Sequence, residues 1–188
     1  MNTVLIETAL SSSLTLQLVE GDITTETTNA IVNAANEYLK HGAGVAGTIS
    51  QHGGPDIQTE SDAWVRTHGP VSHAKPAWTS GGRLPCRYVI HAVGPVWGEG
   101  DEDAKLEAAV TGSLRAADGL GLESISLPAI STGVFGFPRE RAAGIIVKAI
   151  QSYFETKPNS GIKIIRLVLY DASTVAAFRK VWHDYINA

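Results

Sequence analysis

The chain reads as an α/β protein in which a mixed sheet is covered on both faces by helices. Three observations predict this. Strand-like and helix-like segments alternate through most of the 188 residues. The inner strand candidates are near-continuously apolar, as strands buried on both faces are. The first two strand candidates flank Ser11-Ser12-Ser13, a hairpin turn, so the sheet is mixed rather than purely parallel.

Residues 4–8 and 14–20 are the hairpin strands, and 30–32 is a short apolar strand that ends at the asparagines. Residues 44–52 and 56–67 read as helices separated by Gly53-Gly54-Pro55, a stop and a restart. Residues 77–80 and 88–93 are strands, with Gly81-Gly82 as the turn between them. Leu106, Val110 and Leu114 recur at helical spacing over 103–118, a helix that ends at Gly119. Residues 124–127 form a buried type of strand. Residues 138–154 are a helix, with Pro138 in the first turn and Ala142, Ile146, Ala149, Ile150 and Tyr153 on one face. Residues 164–170 are an apolar strand broken only by Arg166. Val175, Phe178, Trp182 and Tyr185 then mark a last amphipathic helix.

Composition bounds the function. The length fits one domain, 1–188, with a sizeable core. A net charge of −4 argues against a nucleic-acid surface. Lysines are few and scattered, so an anionic ligand would be held by backbone amides and helix N-termini. The single cysteine, Cys86, excludes an internal disulfide and reads as a small buried residue in a reducing compartment. No basic segment precedes the apolar residues at the N-terminus, and no segment is long and apolar enough to span a bilayer. The expectation is a cytoplasmic protein with no membrane partner. The histidines show no metal-ligand spacing, so neither a metal nor another cofactor is expected.

Three stretches carry chemistry. Gly21-Asp22-Ile23-Thr24 supplies a carboxylate that can accept from an exocyclic amine. Val32-Asn33-Ala34-Ala35-Asn36 supplies carboxamides for ribose hydroxyls. Gly42-Ala43-Gly44-Val45-Ala46-Gly47 supplies a backbone that can approach a pyrophosphate and donate N–H groups to it. Together these are the chemical parts an adenosine diphosphate sugar requires. The glycine run matches G-x-G-x-x-G, but eight residues, 34–41, separate it from Asn33, and the next acidic residues, Glu60 and Asp62, fall in a helix. A dinucleotide-binding Rossmann unit has neither feature. A second glycine loop, Ser131-Thr132-Gly133-Val134-Phe135-Gly136, lies between a buried strand and a helix N-terminus, where free amides and the helix dipole suit a phosphate. In open α/β sheets, ligands bind beyond the carboxyl ends of the strands, where these loops fall. Of the two asparagines, Asn33 reads as a turn-former and Asn36, nearer the glycines, as the ribose contact. His41 reads as an exposed loop histidine and the one titratable side chain near that end.

These motifs resemble the macrodomain family of ADP-ribose-binding folds. The matching stretches are the three above, with the loop taken from His41, together with Val89-Ile90-His91-Ala92-Val93-Gly94-Pro95, the segment 128–136, and Leu167-Val168-Leu169-Tyr170-Asp171. They occur in the family's order and cover roughly residues 16–186. The resemblance implies a three-layer α/β/α sandwich with a mixed sheet. It implies Asp22 and Ile23 at adenine, Tyr170 stacked on it, and the pyrophosphate on the amides of Gly44, Val45 and residues 131–135. Asn36, Gly42, Ala43 and Phe135 are implied at the distal ribose. Hydrolases of the MacroD type carry an aspartate ten residues after the second asparagine, where this chain has Ala46. In that it is similar to the archaeal and coronaviral branch, which shares a loop like Tyr38-Leu39-Lys40-His41-Gly42. Some of that branch remove ADP-ribose from acidic side chains. The resemblance therefore implies hydrolysis of ADP-ribosyl esters, either mono-ADP-ribosylated Asp or Glu or O-acetyl-ADP-ribose, with Asn36 and His41 as catalytic candidates. A non-catalytic reader of ADP-ribose is the alternative. Either reading makes ADP-ribose or an ADP-ribosylated protein the partner.

Overall fold

The computed structural model describes residues 2–185, with Tyr185 described by its backbone, so the place expected for the Tyr185 side chain lies outside the described residues. Seven strands, β1 (Thr3–Ala9), β2 (Thr15–Glu20), β3 (Ala30–Ala35), β4 (Ala77–Ser80), β5 (Tyr88–Val93), β6 (Ser124–Leu127) and β7 (Ile164–Leu169), form one sheet in the order β1-β2-β7-β6-β3-β5-β4. The five inner strands are parallel. Both edges are antiparallel hairpin strands: β1 pairs with β2, and β4 pairs with β5. The sheet is therefore mixed at both edges, one of which the serine turn predicts.

Parallel strands buried on both faces need helices on both faces. Helices α3 (Glu102–Gly119), α4 (Arg139–Thr156) and α5 (Ala172–Tyr185) cover one face, where Leu16, Leu18, Val32, Ile90, Leu127 and Leu167 meet Leu114, Ile146, Ile150 and Phe178 in one cluster. Helices α1 (Gly44–Gly53) and α2 (Pro55–His68) cover part of the other, where Val19, Ile31, Val89 and Val168 meet Ile49 and Ile57. Period-two alternation divides each strand between the two clusters.

Arg166 interrupts its apolar strand for a reason found on that second face. Its Nε lies 2.5 Å from Glu26 Oε2, and Glu26 also accepts from Ser126 Oγ and Asn2 Nδ2 at 2.6 Å each. Burial pushes the Glu26 carboxyl up, and these bonds outweigh it to leave the group below its ordinary range. Cys86 is buried and its thiol pushed up to about 11 by desolvation, as suits a packing residue rather than a nucleophile. No helix among the described residues is long and apolar enough to cross a membrane.

Most boundaries shift by a residue or two from the sequence reading, and one shift bears on the site. Strand β3 continues past Val32 to Ala35, so Asn33 stands inside the sheet opposite His91 of β5 and forms no turn. Local sequence favours asparagine in turns, and pairing with β5 overrides it.

Candidate functional site

Because the inner strands are parallel, their carboxyl ends share one edge of the sheet, and the loops leaving β2, β3, β5, β6 and β7 converge there. Every site residue expected from sequence lies on or beside those loops.

After β2 the chain enters a short 3₁₀ turn, Ile23–Thr25, capped by Asp22. Asp22 Oδ1 accepts from Thr24 N–H at 2.8 Å and Thr24 Oγ1 at 2.7 Å, while Oδ2 accepts from nothing among the described residues. The cap thus fixes the carboxylate and leaves one oxygen free. Ile23 is buried beneath it. Gly21 N–H donates to the Leu169 carbonyl at 2.9 Å, which sets the Asp22 turn beside the end of β7. There Tyr170 is 86 % exposed, an aromatic ring with nothing packed over it. An exposed aromatic beside an acceptor is a recurring base platform. The next residue, Asp171, caps α5 through Ser173 and Thr174, and those bonds outweigh partial burial to hold its carboxyl at about 2.

The loop after β3 is built by Asn36. Its Oδ1 accepts from Tyr38 N–H at 3.2 Å and Lys40 N–H at 3.1 Å, and its Nδ2 donates to the Lys40 carbonyl at 2.8 Å. The structure therefore gives the turn expected at Asn33 to Asn36, and Asn33 is the buried partner of other side chains. One N–H of the Asn36 carboxamide remains for a ligand. Leu39, wholly buried, adopts a φ of 53° in this loop, a conformation β- or γ-branched side chains seldom take.

His41 departs furthest from expectation. It is buried, not exposed. Its Nδ1 lies 3.2 Å from Asn33 Nδ2, its Nε2 lies 2.9 Å from Ser61 Oγ on α2, and its ring stacks on His91 at 4.9 Å. Its backbone N–H donates to Gln58 Oε1 at 3.3 Å, and Gln58 Nε2 donates to the Leu39 carbonyl. Burial pulls the imidazole down to about 4, with Asp62 opposing and Lys40 assisting. A neutral ring with both nitrogens engaged inside the protein is no general base for a crevice ligand. Sequence reading missed this because no local pattern shows which way a loop side chain turns.

Beyond His41 the backbone changes character. Residues 42–46 donate no backbone hydrogen bond within the protein among the described residues, and the next amide that does is Gly47, to Ala43 at 3.1 Å. Gly42, Ala43 and Gly44 are exposed, and Gly44 begins α1 at a φ of 58°. These amides are the orphan donors of a helix start extended by two residues.

The loop after β6 faces them. Ser131 has a φ of 67° and is buried, with its Oγ unpartnered. The loop lies so close to the end of β5 that a Cβ on Gly94 would stand 2.1 Å from that Oγ. The loop's internal bonds run from Thr132 N–H to the Ala129 carbonyl, Gly136 N–H to Gly133 and Phe137 N–H to Ser131, so Ser131, Gly133, Val134 and Phe135 keep free amides. Trp97, in the loop after β5, donates its backbone N–H to the Phe135 carbonyl at 2.9 Å. Sequence reading gave Trp97 no such task. The two loops nearly touch: a Cβ on Gly44 would stand 3.7 Å from Cγ2 of Val134, which is 80 % exposed. Two runs of unpaired N–H groups thus face one gap. Such an arrangement binds an anion through backbone dipoles.

Comparison with known proteins agrees with this geometry. A family model described as Macro domain matches residues 32–146. A protein of Thermotoga maritima is 50% identical over 167 residues, which are 88% of this chain and 28% of that protein, so the chain spans less than a third of that relative. A macro domain-containing protein of Caldanaerobacter subterraneus is 40% identical over 90% of this chain and 96% of its own length. Among solved structures, the Oceanobacillus iheyensis macrodomain with ADP has a TM-score of 0.92 at 31% identity, covering 100% of this chain and 98% of that one. The Trypanosoma brucei macrodomain in complex with ADP-ribose has a TM-score of 0.79 at 30% identity, covering 88% of this chain and 68% of that one.

Proposed function

The chain belongs to the macro domain family, and on that premise we propose that it binds ADP-ribose and hydrolyses ADP-ribosyl esters. One observation carries the binding proposal: the free amides at residues 42–46, opposed by those of Ser131, Gly133, Val134 and Phe135, with Asp22 and Tyr170 on the same sheet edge. The pyrophosphate lies between the two runs, and adenine stacks on Tyr170 with its amine on Asp22 Oδ2. The unpaired N–H of Ile23 beside that carboxylate gives adenine a donor next to the acceptor, which suits its N1 and N6 edge. The distal ribose meets Asn36, Gly42, Ala43 and Phe135.

Ester chemistry follows from what this end lacks. Position 46 is alanine and His41 is withdrawn into the protein, so neither supplies a base. A carboxylate leaving group, of pKa about 4, departs from the distal ribose without a general acid. The cleavage then needs positioning, amide stabilisation of charge and a water, which a phosphate oxygen of the ligand itself orients. Water supplies OH to the sugar carbon and its proton to the medium, and ADP-ribose and a free Asp or Glu side chain are released. An arginine-linked or serine-linked ADP-ribose has a far more basic leaving group and is a poor substrate for such a site.

The same poverty in bases favours the second reading, a reader that binds without turnover. The deciding experiment incubates the protein with an ADP-ribosylated acidic peptide and with O-acetyl-ADP-ribose and follows release. Release above the buffer rate supports the hydrolase. Tight binding with release at the buffer rate leaves the reader.

A further inference from the structure

Directly beneath the glycine run lie three polar side chains that cannot all be explained by packing. Asn33 and His91 stand opposite one another on β3 and β5 and are wholly inaccessible, so neither can touch a ligand. Buried polar groups persist where their hydrogen bonds are made, and in this group only Asn33 Oδ1 lacks a partner among the described residues. Asn33 Nδ2 lies 3.0 Å from His91 Nδ1 and 3.2 Å from His41 Nδ1. His91 Nε2 lies 3.0 Å from Thr79 Oγ1, which donates its own proton to the Ser80 carbonyl. Thr79 must then accept from His91, which places the one proton of a neutral His91 on Nε2 and leaves its Nδ1 an acceptor. The two hydrogens of Asn33 Nδ2 thus serve two unprotonated Nδ1 atoms, one on each stacked ring. His41, also protonated on Nε2, donates to Ser61 Oγ.

We propose that Asn33, His91 and His41 form a clamp that positions the phosphate-facing backbone of residues 42–46 and that holds only while both imidazoles are neutral. The inference rests on the reading of the crevice as an ADP-ribose site. His41 is the last residue of its loop bonded to the protein before the run of free amides, and its ring bonds the loop to the sheet through Asn33, next to Leu39, which packs among Ala35, Ala77 and Val93. A proton on either Nδ1 turns an acceptor into a donor facing the Asn33 N–H₂ group, and it charges a ring stacked on its neighbour. The groups around the pair do not offset this. Asp62 of α2 and Lys40 of the loop flank His41 as an ion pair at 2.7 Å, and Ser61, Gln58, Asn33 and Thr79 are neutral. His91 faces His41 as its titratable neighbour. Burial holds both rings neutral, to about 4 for His41 and about 3 for His91, so the clamp is closed at neutral pH and acid opens it. Asn33 and His91 are positioning residues.

The test measures ADP-ribose affinity by calorimetry and amide protection by hydrogen exchange on the full chain and on Asn33→Ala and His91→Phe at pH 7.5, with wild type also at pH 4. Each variant should weaken ADP-ribose by about 3- to 10-fold, one net hydrogen bond's worth. Protection should fall at the amides of residues 39–41 while the bonded amides of Gly136 and Phe137, in the facing loop, keep theirs. Wild type at pH 4, where His41 is about half protonated, should show a smaller loss at the same amides. A folded variant with unchanged affinity and unchanged protection at 39–41 overturns the clamp. So does protection lost equally in both loops, which marks a general loss of stability. If wild type binds no ADP-ribose at pH 7.5, the ligand reading falls, and the exchange pattern still decides whether the clamp exists. Should neither variant fold, wild type at the two pH values decides: no selective loss at 39–41 in acid overturns the proposal.

Discussion

The two ends of the crevice are built on opposite plans. At the end formed after β2 and β7, side chains face outward with unused capacity: Asp22 Oδ2 is free and Tyr170 is almost fully exposed. At the end formed after β3, the polar side chains of Asn36 and His41 spend most of their capacity on the protein itself, and the backbone beyond them is what remains unpaired. Asn36 closes its own loop, His41 is bonded into the protein, and the amides of 42–46 are left unpaired. The first plan reads a base by side-chain chemistry. The second binds an anion by holding a strand of backbone still. Substitutions should accordingly act locally and singly at the adenine end, and indirectly, through loop geometry, at the other.

The largest expected effect breaks the backbone end. Gly44 sits at a φ of 58°, and a branched side chain there faces Val134 across the gap. Gly44→Val should therefore combine about 1–3 kcal/mol of backbone strain with obstruction of the amides, and weaken ADP-ribose by about 100-fold or more. Calorimetry checks this, and an affinity within tenfold of wild type would mean that the ligand does not pass between these loops.

The adenine end should respond more modestly and more specifically. Tyr170→Ala should cost about 1–3 kcal/mol of ADP-ribose affinity while Tyr170→Phe stays near wild type, since stacking and not the hydroxyl is at work. Equal losses would refute stacking. Asp22→Asn should keep the cap of the 3₁₀ turn through Oδ1 yet set an N–H₂ group against the adenine amine, at a cost of about 1–3 kcal/mol. The thermal midpoint without ligand should move little, which separates the ligand contact from the cap.

Asn36→Ala sharpens the contrast in another way. It removes three loop hydrogen bonds as well as the free N–H, so it should lower stability by about 1–2 kcal/mol and reduce turnover by a larger factor than it reduces affinity. An affinity loss with no change in stability or turnover would make Asn36 a simple ligand contact.

The most gradual effect is a pH dependence at the backbone end, spread over more than two pH units. The folded pKa of His41 is depressed below its unfolded value near 6.5, so between about pH 6.5 and pH 4 the unfolded chain binds more protons. The contribution is fully present above pH 6.5 and is lost as pH falls through that window, up to about 3 kcal/mol. Denaturant midpoints measured across the window should fall with acid in wild type and fall less steeply in His41→Gln.

Much of this was legible in the sequence, and the misses share one cause. The helix from Pro138, the glycine stops and the apolar strands all declare themselves locally, because period and turn chemistry are short-range. The order of motifs then placed Asp22, the glycine run, the 131–135 loop and Tyr170 on loops that do meet. The burial of Asn33 and the turn-forming task of Asn36 were not legible. Whether β3 stops at Val32 or runs to Ala35 depends on pairing with β5, more than fifty residues away. The inward turn of His41 depends on Ser61 and His91, on two other elements. The adenine end could be read because its residues act where they stand. The other end could not, because its side chains act through the backbone they hold.

The most direct test of the central claim follows amide resonances of the labelled chain during titration with ADP-ribose. The account predicts binding that raises the thermal midpoint, with the largest amide shifts at residues 42–46, at 131–135 and at Ile23. No binding at millimolar ADP-ribose, or binding that leaves both runs of amides unshifted, would contradict it.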